Sequence, residues 1–313
     1  MDEGRSGAKP RGHGSIMLVS TPGLETGKRV VSIVQPLVGG SGARLAEDGT
    51  DGVDFTTGFY RNIPTEVLES ETPVVVDTCG LITDSGGAGR TRGGCGLRYS
   101  MRVLAPGSIV TARGLERFRF QPWGREGGAA GSVGRAFTET PNSEKNEIGK
   151  INILELPANG VIYMETAGGD GFGPPWERGP EAVLRDVEDG FVSAERAESA
   201  YGVIFTAGGG IDEEATRARR RELSAGGSAA ERFTFGEARE EYERRWPDAL
   251  QLMVNEVTEG IPPTIREHVR AELIELVEKN GGEFVEERGG ASLEILRACV
   301  SEFLEGLKPN GRD

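Results

Sequence analysis

The stretch DSGGAGRTRGGCG at residues 84–96 combines closely spaced glycines with two arginines, Arg90 and Arg92. Glycine has no side chain, so such a stretch lets the backbone approach another backbone or a ligand closely. A second stretch of this kind, GGSGARLAEDGTDG, begins at Gly39. Both are too rich in small residues to be ordinary linkers, and we expect them to form ordered loops.

Two interpretations of residues 84–96 are open. In one, the backbone donors and the guanidinium groups of Arg90 and Arg92 bind a carboxylate or a phosphate. In the other, Asp84 pairs with Arg90 or Arg92, and the glycines form a tight crossover between strands. We favour the second, because buried arginines need partners. The first predicts that Arg92→Ala lowers the activity of an assembled complex more than its melting temperature.

Short β-like runs cut by glycine dominate the chain up to about Thr166. The runs are IMLVS, RVVSIVQPLV, PVVVDTCGLI, LRYSMRVL, SIVTARG, INILEL and GVIYMET. After Gly173 the pattern predicts three short helices, which begin at Gly179-Pro180, Ser193 and Asp212. The predicted fold class is therefore α+β, a β-rich mixed domain with Gly-rich loops, followed by short helices and a helical C-terminal tail.

We predict three regions: a disordered stretch at 1–15, a region at 16–223 that contains the strands and the three short helices, and an acidic helical tail at 231–313. The tail has 11 basic and 19 acidic residues. Its apolar positions share helix faces, Ile265, Val269, Leu273, Leu276 and Val277 on one and residues 293–307 on another. Such helices pack on their own domain or bind a partner in a groove.

Composition excludes several classes of function. The net charge of −14 makes nucleic acid and anionic membrane surfaces unlikely partners. Three cysteines without CxxC spacing indicate neither a disulfide framework nor a zinc site and fit a cytoplasmic protein. No apolar run is long enough to span a membrane. With only two histidines and no GxxxxGK[ST] motif, the sequence predicts no metal site and no P-loop.

A polar turn at residues 60–69 adds candidate site residues, since Arg61, Asn62, Glu66 and Glu69 crowd together ahead of a strand. Two nearby carboxylates can act as acid and base, but they more often cap and bridge a solvated turn. The candidates for substrate or interface binding are therefore Arg61, Asn62, Glu66, Asp84, Arg90 and Arg92. No catalytic residue is assigned.

Five blocks of the sequence, in order, resemble the hydantoinase B/5-oxoprolinase family, which includes acetone and acetophenone carboxylase subunits. The blocks are GGSGARLAEDGTDGVD from Gly39, RNIPTEVLESETPVVV from Arg61, DSGGAGRTRGGCG from Asp84, QPWGREGGAAG from Gln121 and GGDGFGPPWERGPEAVLRDVEDGFVSAERAESAYGV from Gly168. The resemblance implies a subunit of a multi-chain, ATP-dependent hydrolase of cyclic amides, or a related ketone carboxylase. A hydantoinase A-like partner subunit would bind ATP and phosphorylate the substrate oxygen.

The resemblance covers only the C-terminal half of a B-type subunit, without the histidine and aspartate pattern of the family's metal site. We therefore expect no cofactor on this chain, with ATP and a divalent metal on partner chains, one of which supplies the N-terminal half. We also expect an exposed apolar surface where that half would pack, and poor solubility of the isolated chain. The alternative is a noncatalytic scaffold or assembly subunit.

Overall fold

The computed structural model describes residues 15–52, 63–113, 117–149, 151, 153–226, 235, 237–279, 298 and 301. The chain divides into two compact units between Gly236 and Glu237. The predicted disorder at 1–15 and the apolar face at residues 293–307 lie almost wholly outside the described residues.

Two antiparallel sheets form most of the first unit. In the described residues the strands are β1 Ser15–Pro22, β2 Arg29–Leu37, β3 Val74–Leu81, β4 Leu97–Val103, β5 Ser108–Arg113, β6 Arg135–Thr140, β7 Ser143–Glu147, β8 Leu154–Leu156 and β9 Val161–Glu165. One sheet has the order β2-β1-β5-β8 and the other the order β3-β4-β9-β6-β7. We call them the four-stranded and the five-stranded sheet.

The two sheets share one buried core. Strand side chains alternate between two faces, and in β1 the buried Met17 and Val19 alternate with the more exposed Ile16 and Leu18. The core also includes residues of the other strands and of helix α1, Thr65–Glu71. Its members outside β1 include Leu68 of α1 and the strand residues Val34, Val74, Tyr99, Met101, Val103, Val110, Leu156, Ile162 and Met164.

Four glycine-rich segments, residues 38–52, 85–96, 122–134 and 166–173, form a second kind of packed structure, which we call the glycine bundle. The segment 166–173 hydrogen-bonds to all three others. Gly40 donates its backbone N–H to Ala167 at 3.0 Å, Gly169 donates to Gly94 at 2.8 Å, and Gly171 donates to Ala129 at 2.9 Å. A strand within a sheet has neighbours on two sides only, so the bundle is a three-dimensional array of backbones.

The bundle requires glycine because its backbones lie too close together to leave room for a side chain. A Cβ atom on Gly169 would lie 1.8 Å from the Ser41 carbonyl oxygen, and one on Gly94 would lie 2.0 Å from that of Thr50. Neither glycine has a positive φ. The expectation of ordered loops with close backbone approach is therefore confirmed, and the approach is to other backbone.

Short helices follow the bundle, as predicted. They are α2 Pro180–Glu188, α3 Ala194–Ser199 and α4 Glu213–Ser224, and a 3-10 turn at Pro175–Glu177 precedes them. Ser193 caps α3 by accepting the Arg196 N–H at 3.1 Å, and Asp212 caps α4 by accepting the Ala215 N–H at 3.0 Å. Such caps satisfy N–H groups that the first helical turn leaves unpaired.

The second unit consists, in its described part, of the helices α5 Glu237–Arg245, α6 Asp248–Glu259 and α7 Pro263–Lys279. They share a small core of Trp246, Leu250, Val254, Ile261, Val269 and Leu273. The predicted face of α7 is confirmed for Val269 and Leu273, which are buried, and for Ile265, which is partly buried and packs against the same core. The side chain of Val277 lies outside the description.

The predicted α+β class is confirmed, and the seven predicted runs correspond to β1, β2, β3, β4, β5, β8 and β9. The hairpin of β6 and β7 was not predicted. Strand β7 has the sequence SEKNE and is exposed along its whole length, so it lacks the apolar alternation from which a strand is normally inferred.

Candidate functional site

A network of charged side chains joins the glycine bundle to helix α2. It consists of Asp48, Asp51, Arg92, Arg178 and Asp186, which we call the arginine–aspartate network. Asp48 and Asp51 belong to the first bundle segment and Arg92 to the second, while Arg178 directly precedes α2 and Asp186 lies within it. Residues far apart in sequence thus meet at one place.

Arg92 is held by two carboxylates. Its Nη1 and Nη2 donate to Oδ1 and Oδ2 of Asp51 at 2.9 and 3.2 Å, and its Nε lies 3.5 Å from Oδ1 of Asp186. Its guanidinium also stacks over the Phe191 ring, 4.7 Å from the centroid. Only 4% of the side chain is exposed. This fork geometry fixes the guanidinium plane as well as its position.

Arg178 forms a second fork, between two carboxylates. Its Nη1 and Nη2 donate to Oδ1 and Oδ2 of Asp48, both at 2.7 Å. On its other side Nε and Nη2 donate to Oδ2 and Oδ1 of Asp186 at 2.8 and 3.2 Å. Asp186 therefore bridges the two arginines, and the network is a continuous chain of ion pairs in which Arg92, Arg178 and Asp186 are buried and Asp48 and Asp51 reach the surface in part.

The aspartates also bind backbone donors of the bundle. Oδ1 of Asp48 accepts the N–H of Arg92 at 2.7 Å, and Oδ1 of Asp51 accepts the N–H of Cys95 at 2.6 Å. Since a buried N–H without a partner is costly, these bonds hold the segment 85–96 against the segment 38–52. The network is part of the packing of the bundle.

Burial and charge act in opposite directions on the network's carboxyls. Burial alone raises the pKa of Asp48, but the hydrogen bonds and charge of Arg178 outweigh it, so the pKa falls below its ordinary value. Burial raises the pKa of Asp186, and the charges of Arg178 and Arg92 offset this only in part. Asp48 also accepts the backbone N–H of Arg92, whereas Asp186 faces the like charge of Asp48, and these two contacts act on the two pKa values in opposite directions.

A cavity of about 340 Å³ lies beside the network. Asp48, Arg178 and Asp186 form one part of its wall, and the remaining lining residues are Ala46, Thr91, Ala182, Arg185 and Asp189. The lining is mostly polar and contains both signs of charge. It can therefore hydrogen-bond a small polar molecule, although the network side chains in the wall already bond one another.

A further buried carboxyl lies in the last bundle segment. Asp170 is fully buried, and its Oδ2 pairs with the Nε of Arg125 at 3.4 Å. Within the described part of the chain its Oδ1 has no hydrogen-bond partner. Burial raises the pKa of Asp170 to about 6, against the opposing charge of Arg125.

The structure separates the residues that the sequence singled out. Asp84 pairs with neither arginine, because its Oδ1 accepts the N–H of Ser193 at 2.9 Å. Arg90 lies at the surface, 3.3 Å from Glu177, with 39% of its side chain exposed. Of the four candidates that the structure describes, only Arg92 belongs to the network. Its partners, Asp51 and Asp186, satisfy the need for a counter-charge that the sequence indicated and had assigned to Asp84.

The polar turn at residues 60–69 is described only in part, since Arg61 and Asn62 lie outside the described residues. Glu66 is exposed in the first turn of α1. Glu69 accepts the backbone N–H of Val76 at 2.7 Å, which fits the interpretation of these carboxylates as capping groups.

Asp48, Asp51, Arg178 and Asp186 were missed as site residues by sequence reasoning. A usable signal existed for the first two, because both lie in the second glycine-rich stretch, AEDGTDG. If two glycine-rich stretches pack together, the buried arginine of one needs a carboxylate from the other. No comparable signal marked Arg178 or Asp186.

Two kinds of feature are absent from the described residues. No group of three or more His, Cys, Asp or Glu side chains in this part of the chain is arranged to hold a metal ion. Among the helices described, none has the length and apolar character needed to cross a membrane.

Comparison with known proteins gives a family match. The family model described as hydantoinase B/oxoprolinase matches residues 5–175. A protein assigned as the B-type component of a D-/L-hydantoinase in Pseudomonas sp. strain NS671 is 35% identical over 188 residues, 58% of this chain and 31% of that protein. The beta chain of caprolactamase from Pseudomonas jessenii is 32% identical over 201 residues, 61% of this chain and 34% of that protein. The chain thus spans about a third of the length of these relatives.

Two solved structures share the fold. A nucleotide-free acetone carboxylase structure matches with a TM-score of 0.57 at 19% identity, over 76% of this chain and 37% of the other. The ATP-dependent caprolactamase from Pseudomonas jessenii matches with a TM-score of 0.56 at 23% identity, over 67% of this chain and 38% of the other.

Proposed function

Because the chain belongs to the hydantoinase B/oxoprolinase family, we propose that it is a subunit of a multi-chain, ATP-dependent enzyme that hydrolyses cyclic amides. The observation that supports this most directly is the extent of the family match. Residues 5–175 include all four segments of the glycine bundle and both sheets. The glycine bundle, which is the most unusual feature of the chain, thus lies wholly within the region that matches the family.

The names of the relatives favour cyclic amides as the substrate class. They include a D-/L-hydantoinase subunit, a caprolactamase subunit and several 5-oxoprolinases, which act on rings that contain an amide. An acetone carboxylase alpha subunit is also related, at 26% identity. Carboxylation of a ketone is therefore the alternative reaction to be tested for the same complex.

The proposed chemistry explains why ATP and more than one chain are needed. An amide carbonyl is a weak electrophile, and phosphorylation of its oxygen creates a leaving group, so that water can then attack the carbon. We assign ATP and a divalent metal to partner chains: a hydantoinase A-like subunit and a chain with the remaining part of a B-type subunit. We place the complex in the cytoplasm, where free cysteines such as Cys79 and Cys95 stay reduced.

In this proposal the glycine bundle gives the complex a rigid surface. The bundle has no side chains in its closest contacts, so it cannot relax by rotamer changes, and the arginine–aspartate network fixes it to α2. The cavity beside the network lies on this rigid part. A rigid framework helps catalysis when it holds reacting groups in place.

One observation favours a noncatalytic scaffold instead. The guanidinium of Arg92 is engaged by Asp51 and Asp186, and that of Arg178 by Asp48 and Asp186. These bonds are structural. A scaffold would need the network for folding and would contribute nothing to turnover.

The test is ATP turnover by the complex purified through a tag on this chain from its own host. Hydantoin, 5-oxoproline and caprolactam are supplied in turn, with acetone and bicarbonate as the carboxylation comparison. We expect ADP release that depends on one cyclic amide, together with its ring-opened product. If partner chains purified from a strain that lacks this chain turn over ATP equally well, the chain is a noncatalytic scaffold. If only acetone with bicarbonate releases ADP, the reaction is carboxylation.

A further inference from the structure

The cavity beside the arginine–aspartate network has two charged side chains in its wall that are not paired. Arg185 lies in the last turn of α2, Asp189 is the C-cap of the same helix, and both are exposed. Neither side chain forms a hydrogen bond or an ion pair with another residue in the part of the chain that the structure describes. The wall therefore offers one guanidinium and one carboxylate to a small molecule.

The other side-chain donors of the wall are already engaged. Arg178 makes five hydrogen bonds, two each to Asp48 and Asp186 and one to a backbone carbonyl, and a guanidinium has five N–H groups to donate. The hydroxyl of Thr91 donates to another backbone carbonyl. Among the described side chains that line the cavity, Arg185 is thus the one with N–H groups to spare.

Acceptors remain available in the same wall. A carboxylate has about four lone-pair sites. Asp48 accepts three hydrogen bonds and is 37% exposed, and the carboxylate of Asp189 accepts none from the described residues. A molecule that fits this wall therefore brings N–H donors for the carboxylates and an acceptor for Arg185.

The position of Asp189 is unfavourable for the helix itself. Helix α2 ends at Glu188, and Asp189 caps the end at which the helix dipole is negative. Cations stabilise that end and carboxylates weaken it. Departures from such a local rule are expected at functional sites, and a bound ammonium group supplies the positive charge that this helix end lacks.

We propose that the cavity binds a small molecule that carries both an ammonium group and a carboxylate. Asp48 and Asp189 bind the ammonium group, and Arg185 binds the carboxylate. Hydrogen bonds between charged groups are about twice as strong as those between neutral groups. The cavity volume of about 340 Å³ is near the lower end of the range of about 300–1,000 Å³ for small-molecule sites, which suits a ligand of amino-acid size.

Other classes of ligand match the wall less well. A phosphate or a dicarboxylate would meet one available guanidinium and be repelled by Asp48, Asp186 and Asp189. An amine or a metal ion would leave Arg185 without a partner. A neutral cyclic amide has one N–H and one carbonyl for the same groups, but its hydrogen bonds would lack the charge on the ligand side.

The inference rests on the proposed function only for the origin of the ligand. When water opens a lactam, the C–N bond breaks, the carbonyl carbon gains a hydroxyl group and the nitrogen gains a proton. One chain then carries a carboxylate and an amine, which are charged at neutral pH. The product of the proposed reaction thus has both of the groups that the cavity binds, whereas the substrate has neither.

Isothermal titration calorimetry of the complex purified through the tagged chain tests the inference. The probes with both groups are 6-aminohexanoate, which is ring-opened caprolactam, and its α-amino isomer, 2-aminohexanoate. Hexanoate and hexylamine carry one group each, and caprolactam carries neither. We expect one of the aminohexanoates to bind at least about tenfold more tightly than the three controls. Tighter binding of the 6-amino isomer identifies a lactam product, and tighter binding of the 2-amino isomer identifies an α-amino acid from another source.

Variants of the two unpaired residues assign the binding to this cavity. Arg185→Gln should weaken aminohexanoate binding about tenfold and leave hexylamine binding unchanged. Asp189→Asn should weaken it by a similar factor and leave hexanoate binding unchanged. The matched controls are Arg217→Gln and Glu188→Gln, which remove the same charges from residues that do not line the cavity, and each should change binding less than about twofold.

Four outcomes would overturn the inference. They are no binding of either aminohexanoate, equal binding of hexanoate or hexylamine, tighter binding of caprolactam, and binding that both cavity variants leave unchanged. Melting temperatures exclude unfolding as the cause of a loss. Arg185→Gln should melt like the parent, and Asp189→Asn should melt at or above the parent, because it removes a carboxylate from the negative end of α2.

The same preparation separates this inference from the proposed function. If an aminohexanoate binds as expected but no cyclic amide stimulates ADP release, the cavity is assigned correctly and the proposed reaction is wrong. If a cyclic amide is turned over and the titrations give one of the four contrary outcomes, the reaction is correct and the assignment of the cavity is wrong.

Discussion

The glycine bundle and the two-sheet core lie in the same compact unit and exclude water with different atoms. In the core, side chains such as Met101, Ile162 and Met164 fill the space between sheets. In the bundle, backbone approaches backbone so closely that a single Cβ on Gly169 would lie 1.8 Å from a carbonyl oxygen. The core is therefore held together by dispersion and apolar burial, and the bundle mainly by hydrogen bonds.

This difference determines how each region responds to substitution. A core can repack around a side chain of similar volume, and such exchanges are well tolerated. The bundle cannot repack in this way at its glycines, because the atoms in those closest contacts are main chain and have no rotamers. The comparison therefore predicts that the smallest chemical change, one methyl group, has its largest effect in the bundle.

The largest effect is expected for Gly169→Ala. Its Cβ would overlap the Ser41 carbonyl, so the two segments would have to separate and lose their hydrogen bonds. We expect a loss of more than about 4 kcal/mol in the free energy of unfolding, measured by urea denaturation. Gly80→Ala is the control, since a Cβ there meets nothing within 4 Å, and it should change stability by less than about 1 kcal/mol. Equal effects of the two substitutions would show that the bundle tolerates a side chain.

The next largest effect is expected for Arg92→Ala. It leaves the half-buried Asp51 without a counter-charge and the buried Asp186 with Arg178 alone, which costs about 3 kcal/mol or more. Arg90→Ala is the matched control, because its exposed pair with Glu177 contributes less than about 1 kcal/mol. Both are measured by thermal and urea unfolding. The burial of Arg92 thus favours a loss of stability at least as great as the loss of activity, which is the opposite of what the binding interpretation of residues 84–96 predicts. Unchanged melting with lost turnover would restore the binding interpretation.

Local signals in the sequence predicted most of the secondary structure. The helices α2, α3 and α4 were predicted from capping residues such as Ser193 and Asp212, which act within a few residues of their own position. Seven strands were likewise predicted from local runs of apolar residues, whereas β6, with the sequence RAFTET, was missed. Strand β7 was missed because its five residues are all exposed, so no alternation marks it.

The bundle and the network could not be predicted, because they join residues that are distant in sequence. Gly40 bonds to Ala167, and Asp48 bonds to Arg178. Glycine has no side chain whose periodicity would indicate a partner, and an aspartate pairs equally well with any nearby arginine. The sequence therefore indicated that close backbone packing and a buried arginine were present, but not which segments and carboxylates were involved.

In the two-sheet core, Met101→Ala should have a smaller effect than Gly169→Ala, because side chains around a cavity can relax in part. Met101 is fully buried between the sheets, and removal of its side chain creates a cavity that costs about 2–5 kcal/mol. Met101→Leu conserves volume and should cost less than about 1.5 kcal/mol. The melting temperatures of the pair measure the comparison directly. If Met101→Leu destabilised the chain as much as Gly169→Ala does, the core would tolerate substitution no better than the bundle, and the distinction between the two regions would be lost.

The smallest of these effects concerns Asp170, a fully buried carboxyl of the bundle. Its pKa is raised from an ordinary value of 3.8 to about 6, so the folded chain binds this proton more tightly than the unfolded chain does. Its contribution to stability is therefore greatest below pH 4 and is lost as the pH rises through about 6. Asp170→Asn cannot titrate, and the free energy of unfolding of the parent minus that of the variant should fall between pH 4 and pH 7.

The expected fall is about 2–3 kcal/mol, because a tenfold change in proton affinity between the folded and unfolded chain corresponds to about 1.4 kcal/mol. Urea unfolding in steps of half a pH unit measures it, and taking the difference between parent and variant removes the titration of all other groups. Parallel curves would mean that Asp170 stays ionised at its ordinary pKa, so that Arg125 would fully compensate its burial. A difference that rises with pH would mean that the carboxylate stabilises the bundle. The bundle would then depend on charge as well as on hydrogen bonds between backbones.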